Sequence, residues 1–128
     1  MLTCASCQTN ACRERKLDQL PTNCPCLRTD EQEAIKACYL EPDNHLLAYH
    51  SALVESSGYC RNTRIEEIIA FAKRCGYTHL GIAFCVGLVK EANIFAGILR
   101  EQGFQVDSII CKNGAIPKSY LGLTNNEV

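Results

Sequence analysis

The 128-residue sequence predicts an α/β protein with an N-terminal cysteine-rich metal-binding loop, a run of helices and a βαβ unit with parallel strands. Three observations lead to this prediction. Five of the ten cysteines lie in residues 1–28, a segment without hydrophobic periodicity. Apolar residues then recur at helical spacing through residues 30–76. From residue 78 onward two continuous apolar runs flank an amphipathic segment, which is the pattern of a βαβ unit.

The helical region divides into three predicted helices. Acidic residues in the first turn of the first helix interact favourably with the helix dipole. Proline ends this helix, because its ring and its missing N–H do not fit a helix interior. A threonine with a glutamate three residues later predicts a capping box at the start of the third helix. The residues that set the predicted helix ends are Thr29 or Asp30, Pro42, Asp43 or Asn44, Gly58, Thr63 with Glu66, and Gly76.

Residues 78–112 contain the predicted βαβ unit. The first strand, at residues 78–86, reads "THLGIAFCV", a continuous apolar run expected of a strand buried on both faces. An amphipathic helix follows over residues 88–103, and the second strand, at 104–112, reads "FQVDSIICK". A right-handed crossover makes the two strands parallel. Because two strands form a very small sheet, we expect a three-layer-like arrangement that helices, a further chain segment or a second copy of the chain completes.

We predict a cysteine-rich metal-binding segment at residues 1–28 and an α/β domain at residues 29–128 that ends in a loop, both within one folded unit. The net charge of −1 gives no reason to expect nucleic acid or an anionic membrane as partner. The longest apolar stretch, residues 80–89, is about half the length that a membrane-spanning helix needs. The start of the chain does not resemble a secretory signal. We therefore expect a cytoplasmic protein whose cysteines are thiols or metal ligands.

The N-terminal cysteines have a spacing typical of metal ligands. A Cys-x2-Cys pair holds one ion from a tight turn, and two further thiolates complete the tetrahedral shell that zinc prefers. An iron–sulfur cluster is the alternative, since it also takes four thiolates and its motifs include a cysteine followed by proline. Free surface thiols, disulfides and redox pairs are the remaining interpretations. We predict one structural zinc ion with the ligands Cys4, Cys7, Cys12 and Cys24, and with Cys26 as the alternate ligand.

A second candidate site lies at the carboxyl ends of the two predicted strands. Cys85 and Cys111 fall at this edge, where α/β sheets bind ligands. Backbone N–H groups near Gly87 would lower the pKa of a thiol there, and Glu91 and Lys112 would add a carboxylate and an ammonium. These residues suggest a thiol-dependent or iron–sulfur redox enzyme as the alternative function. Both cysteines also fit small buried hydrophobic residues, so the sequence leaves open whether the protein is an enzyme.

Three stretches of the sequence resemble a family of uncharacterised metal-binding proteins of archaea and bacteria, a domain of unknown function. They read "CASCQTNAC…NCPC", "RIEEIIAFAKRCGYTHLGIAFCVGLVKEA" and "GFQVDSIICKNGAIPK". The resemblance implies metal binding through the N-terminal cysteines, and it implies no known reaction or small-molecule ligand. It also implies that this chain corresponds to the N-terminal part of a longer protein, whose remaining segment would complete the sheet.

Overall fold

A computed structural model of the protein describes residues 2–124, which form an α/β fold, as the sequence predicts. Met1 and residues 125–128, the end of the predicted C-terminal loop, lie outside the described residues. Within residues 2–124 the regular elements are, in chain order, α1 (Thr29–Cys38), α2 (Pro42–Gly58), α3 (Arg64–Arg74), β1 (His79–Phe84), α4 (Val89–Glu101) and β2 (Gln105–Ile110). None of the helices in this range is long and apolar enough to span a membrane.

The chain forms two compact units, of which the first ends at Tyr49 and the second begins at His50. The first unit contains the cysteine-rich segment and α1, and the second contains α3 and the βαβ unit. Helix α2 crosses the division. The division at residue 28 inferred from the sequence is not tested by this grouping and stays a prediction.

Local sequence chemistry determines where the helices begin and end. The carboxylate of Glu66 accepts a hydrogen bond from the backbone N–H of Thr63 at 2.7 Å, and the Glu66 N–H donates to the Thr63 hydroxyl at 3.4 Å. This reciprocal pair is the predicted capping box. Gly76 follows α3 with a φ of +72°, a conformation that glycine adopts without steric cost. Pro42 is the first residue of α2 rather than a residue outside it, because the first helical position needs no backbone N–H.

The two strands pair in parallel, and α4 is the crossover between them. In the register of this pair, His79 lies opposite Gln105 and Phe84 lies opposite Ile110. This arrangement confirms the predicted βαβ unit. The C-terminal region is predicted as a loop, and it contains one short 3₁₀ turn at Lys118–Leu121.

The hydrophobic core of the second unit lies on one face of the sheet. Leu99 of α4 is its most deeply buried side chain, at 1% exposure, and it clusters with Ala72 of α3 and with Phe104. Half-buried hydrophobic residues from α3, α4 and both strands complete the cluster. They are Ile69, Leu80, Ile82, Phe95 and Val106.

The opposite face of the sheet is open, so the prediction that β1 is buried on both faces is wrong. Exposure alternates along β1, and Gly81 and Ala83 are on the exposed side. On β2 the same face carries Ile109, whose exposure is 52%. A shallow groove of about 430 Å³ runs along these residues. The apolar run is continuous because small residues occupy the open face, so hydropathy alone does not show the alternation.

Candidate metal and thiol sites

The cysteine-rich segment folds through short turns rather than through a hydrophobic core. The backbone N–H of Cys7 donates to the carbonyl of Cys4 at 3.2 Å, which closes the Cys-x2-Cys turn. The N–H of Leu27 donates in the same way to the carbonyl of Cys24 at 3.1 Å. Among the described residues of this segment, Ala11 is the one buried hydrophobic residue. Apolar burial therefore contributes little to the order of this segment.

Three of the predicted zinc ligands line one small cavity. Cys4 and Cys7 approach it from the first turn, and Cys24 approaches from the second. The volume of the cavity is about 20 Å³, close to the roughly 10–15 Å³ that one water molecule requires. The cavity therefore has the size of a single small ligand.

The alternate ligand, Cys26, lies close to the other thiols. A hydrogen bond with the Cys24 side chain, followed by desolvation and the like charges of Cys24, Cys12 and Cys4, raises the pKa of the Cys26 thiol. The structure thus places Cys12, which does not line the cavity, within electrostatic range of the same group. We refer to the five N-terminal cysteines together as the N-terminal thiol cluster.

The turn that follows Cys7 stabilises its thiolate. The Thr9 hydroxyl lies 3.4 Å from Cys7 Sγ, and this hydrogen bond, followed by those of the backbone N–H groups of Asn10 and Thr9, lowers the pKa of Cys7. The thiolate is the form in which cysteine binds a metal. Sequence reasoning missed Thr9, although its position two residues after a Cys-x2-Cys pair was a usable signal.

The N-terminal thiol cluster fits a thiophilic metal by its donor chemistry and by its shared cavity. Four thiolates form the usual donor set of structural zinc and of iron–sulfur clusters. Within residues 2–124, however, no three cysteine, histidine, aspartate or glutamate side chains are already arranged to hold an ion. Binding of one ion would therefore require the sulfur atoms to move closer together.

Cys85 and Cys111 lie opposite each other at the carboxyl ends of β1 and β2. The register pairs Phe84 with Ile110, and the N–H of Cys111 donates to the Phe84 carbonyl at 2.8 Å, so the next step of the ladder pairs the two cysteines. Both are exposed. The interpretation of these cysteines as buried hydrophobic residues is therefore wrong.

Backbone N–H groups of the turn after β1 point toward the two sulfur atoms. The Val86 N–H donates to Cys111 Sγ at 3.3 Å. The Gly87 N–H, followed by the Cys111 side chain, lowers the pKa of Cys85, and it does so against desolvation; the Val86 N–H and the charge of Lys112 add smaller effects in the same direction. The sequence predicts backbone N–H donors near Gly87, but it does not single out Val86, because every residue other than proline has such a group.

Of the other residues predicted for this site, Lys112 and Gly87 act on the Cys85 thiol, and Glu91 lies on α4. The charge of Lys112 acts on Cys85. Glu91 lies in the first turn of α4, and in the part of the chain that the structure describes no hydrogen bond or ion pair joins it to either cysteine. At Gly87 an added Cβ would meet open space, so this residue contributes its N–H rather than its missing side chain.

A larger groove of about 440 Å³ lies between the end of α2 and α3. It is lined by Val54 and Phe71 and carries an ion pair of 2.6 Å between Arg64 and Glu67. Because it contains no cysteine, cavity size alone does not identify the reactive groups of this protein.

Comparison with known proteins identifies the family. Residues 24–128 match the family described as "Protein of unknown function (DUF1847)". The chain belongs to the DUF1847 family. The matched range includes Cys85 and Cys111 and begins at Cys24. The sequence resemblance to a domain of unknown function is thereby confirmed, and the family description names neither a ligand nor a reaction.

A relative of this DUF1847 chain is the uncharacterized protein MJ0455 of Methanocaldococcus jannaschii. The two are 37% identical over 117 residues, which cover 91% of this chain and 55% of the relative. The chain therefore spans about half the length of that protein. No solved structure matches the chain.

Proposed function

We propose that the N-terminal thiol cluster binds one zinc ion in a structural role. The ligands are Cys4, Cys7, Cys12 and Cys24, and Cys26 is the alternate. The observation that carries this proposal is the small cavity that Cys4, Cys7 and Cys24 share. When bound, zinc cross-links the two turns and supplies no redox chemistry.

The energetics of the segment support a structural role. Ordering the backbone costs about 1–2 kcal/mol per residue, and the large hydrophobic residues Leu2, Leu17 and Leu27 all remain exposed. Zinc bound by thiolates contributes on the order of 10 kcal/mol at neutral pH. This free energy replaces the hydrophobic burial that the segment lacks.

A cytoplasmic location accompanies the proposal, because a reducing compartment keeps thiolate ligands available. All ten cysteines of the structure are free thiols. The expectation that the protein does not bind nucleic acid stays a prediction, based on the net charge of −1.

Elemental analysis of anaerobically purified protein tests the proposal, together with an absorption spectrum of the same sample. We expect one zinc per chain and no visible colour. Iron with sulfide and a brown chromophore would establish the iron–sulfur alternative and overturn the zinc assignment.

Two cysteine variants locate the metal. Cys7→Ser removes a ligand from the cavity and should lose most of the zinc. Cys38→Ser changes an exposed cysteine of α1 outside the cluster and should keep the wild-type zinc content. Equal zinc in the two variants would show that the metal is bound elsewhere.

A further inference from the structure

The second unit carries a pair of thiols that the zinc proposal does not use. We propose that Cys85 and Cys111 form a redox-active dithiol that reduces disulfides, with Cys85 as the attacking thiol and Cys111 as the resolving thiol. The substrate class is a disulfide of a small thiol or of a protein.

The strand register gives the pair the spacing of a disulfide. Neighbouring parallel strands lie about 4.8 Å apart, and disulfides join residues whose Cα atoms are about 4.4–6.8 Å apart. Cys85 continues the extended backbone of β1, with φ −77° and ψ 147°. The hydrogen bond from the Cys111 N–H to the Phe84 carbonyl continues the ladder to this step. The two sulfur atoms can therefore be joined without a large movement of the backbone.

Both thiols are accessible to a substrate. Side chains alternate between the two faces of a strand, so Cys85 shares a face with Ala83, and Cys111 shares a face with Ile109. This is the open face of the sheet, and both cysteines are exposed. A disulfide can reach them without an opening motion of the protein.

The surroundings of the two sulfur atoms differ, which gives each thiol its role. The Gly87 N–H and the Cys111 side chain lower the pKa of Cys85, and the charge of Lys112 acts in the same direction. These groups stabilise the Cys85 thiolate, the nucleophile of thiol–disulfide exchange. The Val86 N–H donates to the Cys111 sulfur at 3.3 Å. This hydrogen bond keeps the Cys111 sulfur beside Cys85, where it can attack the mixed disulfide formed on Cys85.

The reaction has two balanced steps. In the first, the Cys85 thiolate attacks one sulfur of the substrate disulfide, which breaks the S–S bond, forms a mixed disulfide and releases one substrate thiolate. In the second, Cys111 gives up its proton and its thiolate attacks Cys85 Sγ, which forms the Cys85–Cys111 disulfide and releases the other substrate thiolate. The two released thiolates take up the protons of Cys85 and Cys111. Two electrons pass from the protein to the substrate disulfide.

The test uses the reduced, metal-containing full chain and glutathione disulfide as the probe. After acid quenching and alkylation of the remaining thiols, peptides are mapped by mass spectrometry without reduction. We expect a Cys85–Cys111 disulfide, two glutathione molecules released for each one formed, and unchanged zinc content. Oxidation of the N-terminal thiol cluster with loss of zinc, and no disulfide between Cys85 and Cys111, would overturn the proposal while leaving the zinc proposal intact.

Single variants test the order of the two steps. Cys111→Ala should accumulate glutathione on Cys85 in clear excess over the exposed Cys38, because the mixed disulfide on Cys85 then has no resolving thiol. Cys85→Ala should form neither the mixed disulfide nor the internal one. Equal glutathione on Cys85 and Cys38 in the first variant would overturn the assigned roles. If either variant fails to fold, the peptide map of the wild-type protein still tests whether the Cys85–Cys111 disulfide forms.

Discussion

The backbone N–H of Val86 donates a hydrogen bond to Cys111 Sγ at 3.3 Å, across 25 residues of chain. This bond joins the turn after β1 to the end of β2, and it brings backbone dipoles to a pair of exposed thiols. These surroundings lower the pKa of Cys85, as the turn after Cys7 does for that thiol.

Cys85 should react with iodoacetamide at lower pH than an ordinary thiol. The Gly87 N–H and the Cys111 side chain lower the pKa of Cys85, whereas burial raises the pKa of Cys75. Because only the thiolate reacts, the rate at Cys85 reaches its plateau at lower pH than the rate at Cys75. Alkylation rates measured peptide by peptide between about pH 6 and pH 10 check this order.

Lys112→Ala should move the midpoint of the Cys85 profile to higher pH, because the lysine charge stabilises the thiolate. Lys118→Ala changes a lysine of the C-terminal 3₁₀ turn and should leave the profile unchanged. A Cys85 midpoint at or above that of Cys75 in the wild-type protein would contradict the expected order of the two thiols.

Leu99→Ala should lower the free energy of unfolding by about 3 kcal/mol, because it leaves a cavity in the core of the second unit. Ile94→Ala on the same helix is the control. Ile94 is 64% exposed, so its loss should change stability by no more than about 0.5 kcal/mol. Urea unfolding followed by circular dichroism measures both variants. Similar losses would mean that the core lies elsewhere.

Thr63→Ala should destabilise the protein by about 1 kcal/mol at neutral pH, because it removes the N-cap of α3. The hydrogen bonds of Thr63 lower the pKa of Glu66. The folded pKa thus lies below the unfolded one, so the Glu66 contribution is present above the unfolded pKa and is lost as the pH falls through the folded pKa. The difference between wild type and variant should shrink in acid.

Urea unfolding of wild type and Thr63→Ala at neutral and acidic pH measures this difference. Thr78→Ala, at an exposed threonine before β1, is the matched control and should show little effect at either pH. A destabilisation by Thr63→Ala that stays constant into acid would show that the Thr63 hydroxyl does not stabilise the Glu66 carboxylate, to which it donates at 2.9 Å.

Removal of the metal should make the cysteine-rich segment sensitive to trypsin while the second unit stays intact. The segment has exposed basic residues at Arg13, Arg15 and Lys16, and little apolar burial protects it. Limited trypsin digestion before and after treatment with a chelator, read by mass spectrometry, measures the change. Equal protection in the two samples would show that packing rather than metal orders the segment.

Oxidation of Cys85 and Cys111 should raise the thermal stability of the second unit. The disulfide closes a loop that contains all of α4, and a loop of this length stabilises a protein by about 3.5 kcal/mol in the chain-entropy account. Thermal unfolding of the oxidised and reduced protein checks this, with Cys85→Ala as the control that should not respond to oxidant. A lower melting temperature after oxidation would indicate a strained disulfide.

The sequence predicts those parts of the fold that depend on neighbouring residues. Thr63 with Glu66 marks the start of α3, and Gly76 follows its end, because caps act over three or four residues. The parallel pairing follows from the change in hydrophobic period. The open face of the sheet could not be predicted, because Gly81 and Ala83 are apolar whether or not another element covers them.

The two candidate sites likewise have a part that the sequence predicts and a part that depends on the three-dimensional fold. The spacing of Cys4 and Cys7 identifies a turn that can hold two thiolates, and the structure places Cys24 at the same cavity. The donors of the second site are backbone groups of Val86 and Gly87. Every residue other than proline has such a group, so only the three-dimensional position distinguishes a donor to a thiol from any other N–H.

The two-stranded sheet has a further consequence, because within residues 2–124 each strand pairs on one side only. The outer backbone groups of β1 and β2 form a template to which another strand can add through main-chain hydrogen bonds alone. A parallel strand added beside β1 would end next to Cys85, and one added beside β2 would end next to Cys111. A strand that extends this sheet would therefore also lie beside the Cys85–Cys111 pair and limit the access of other molecules to it.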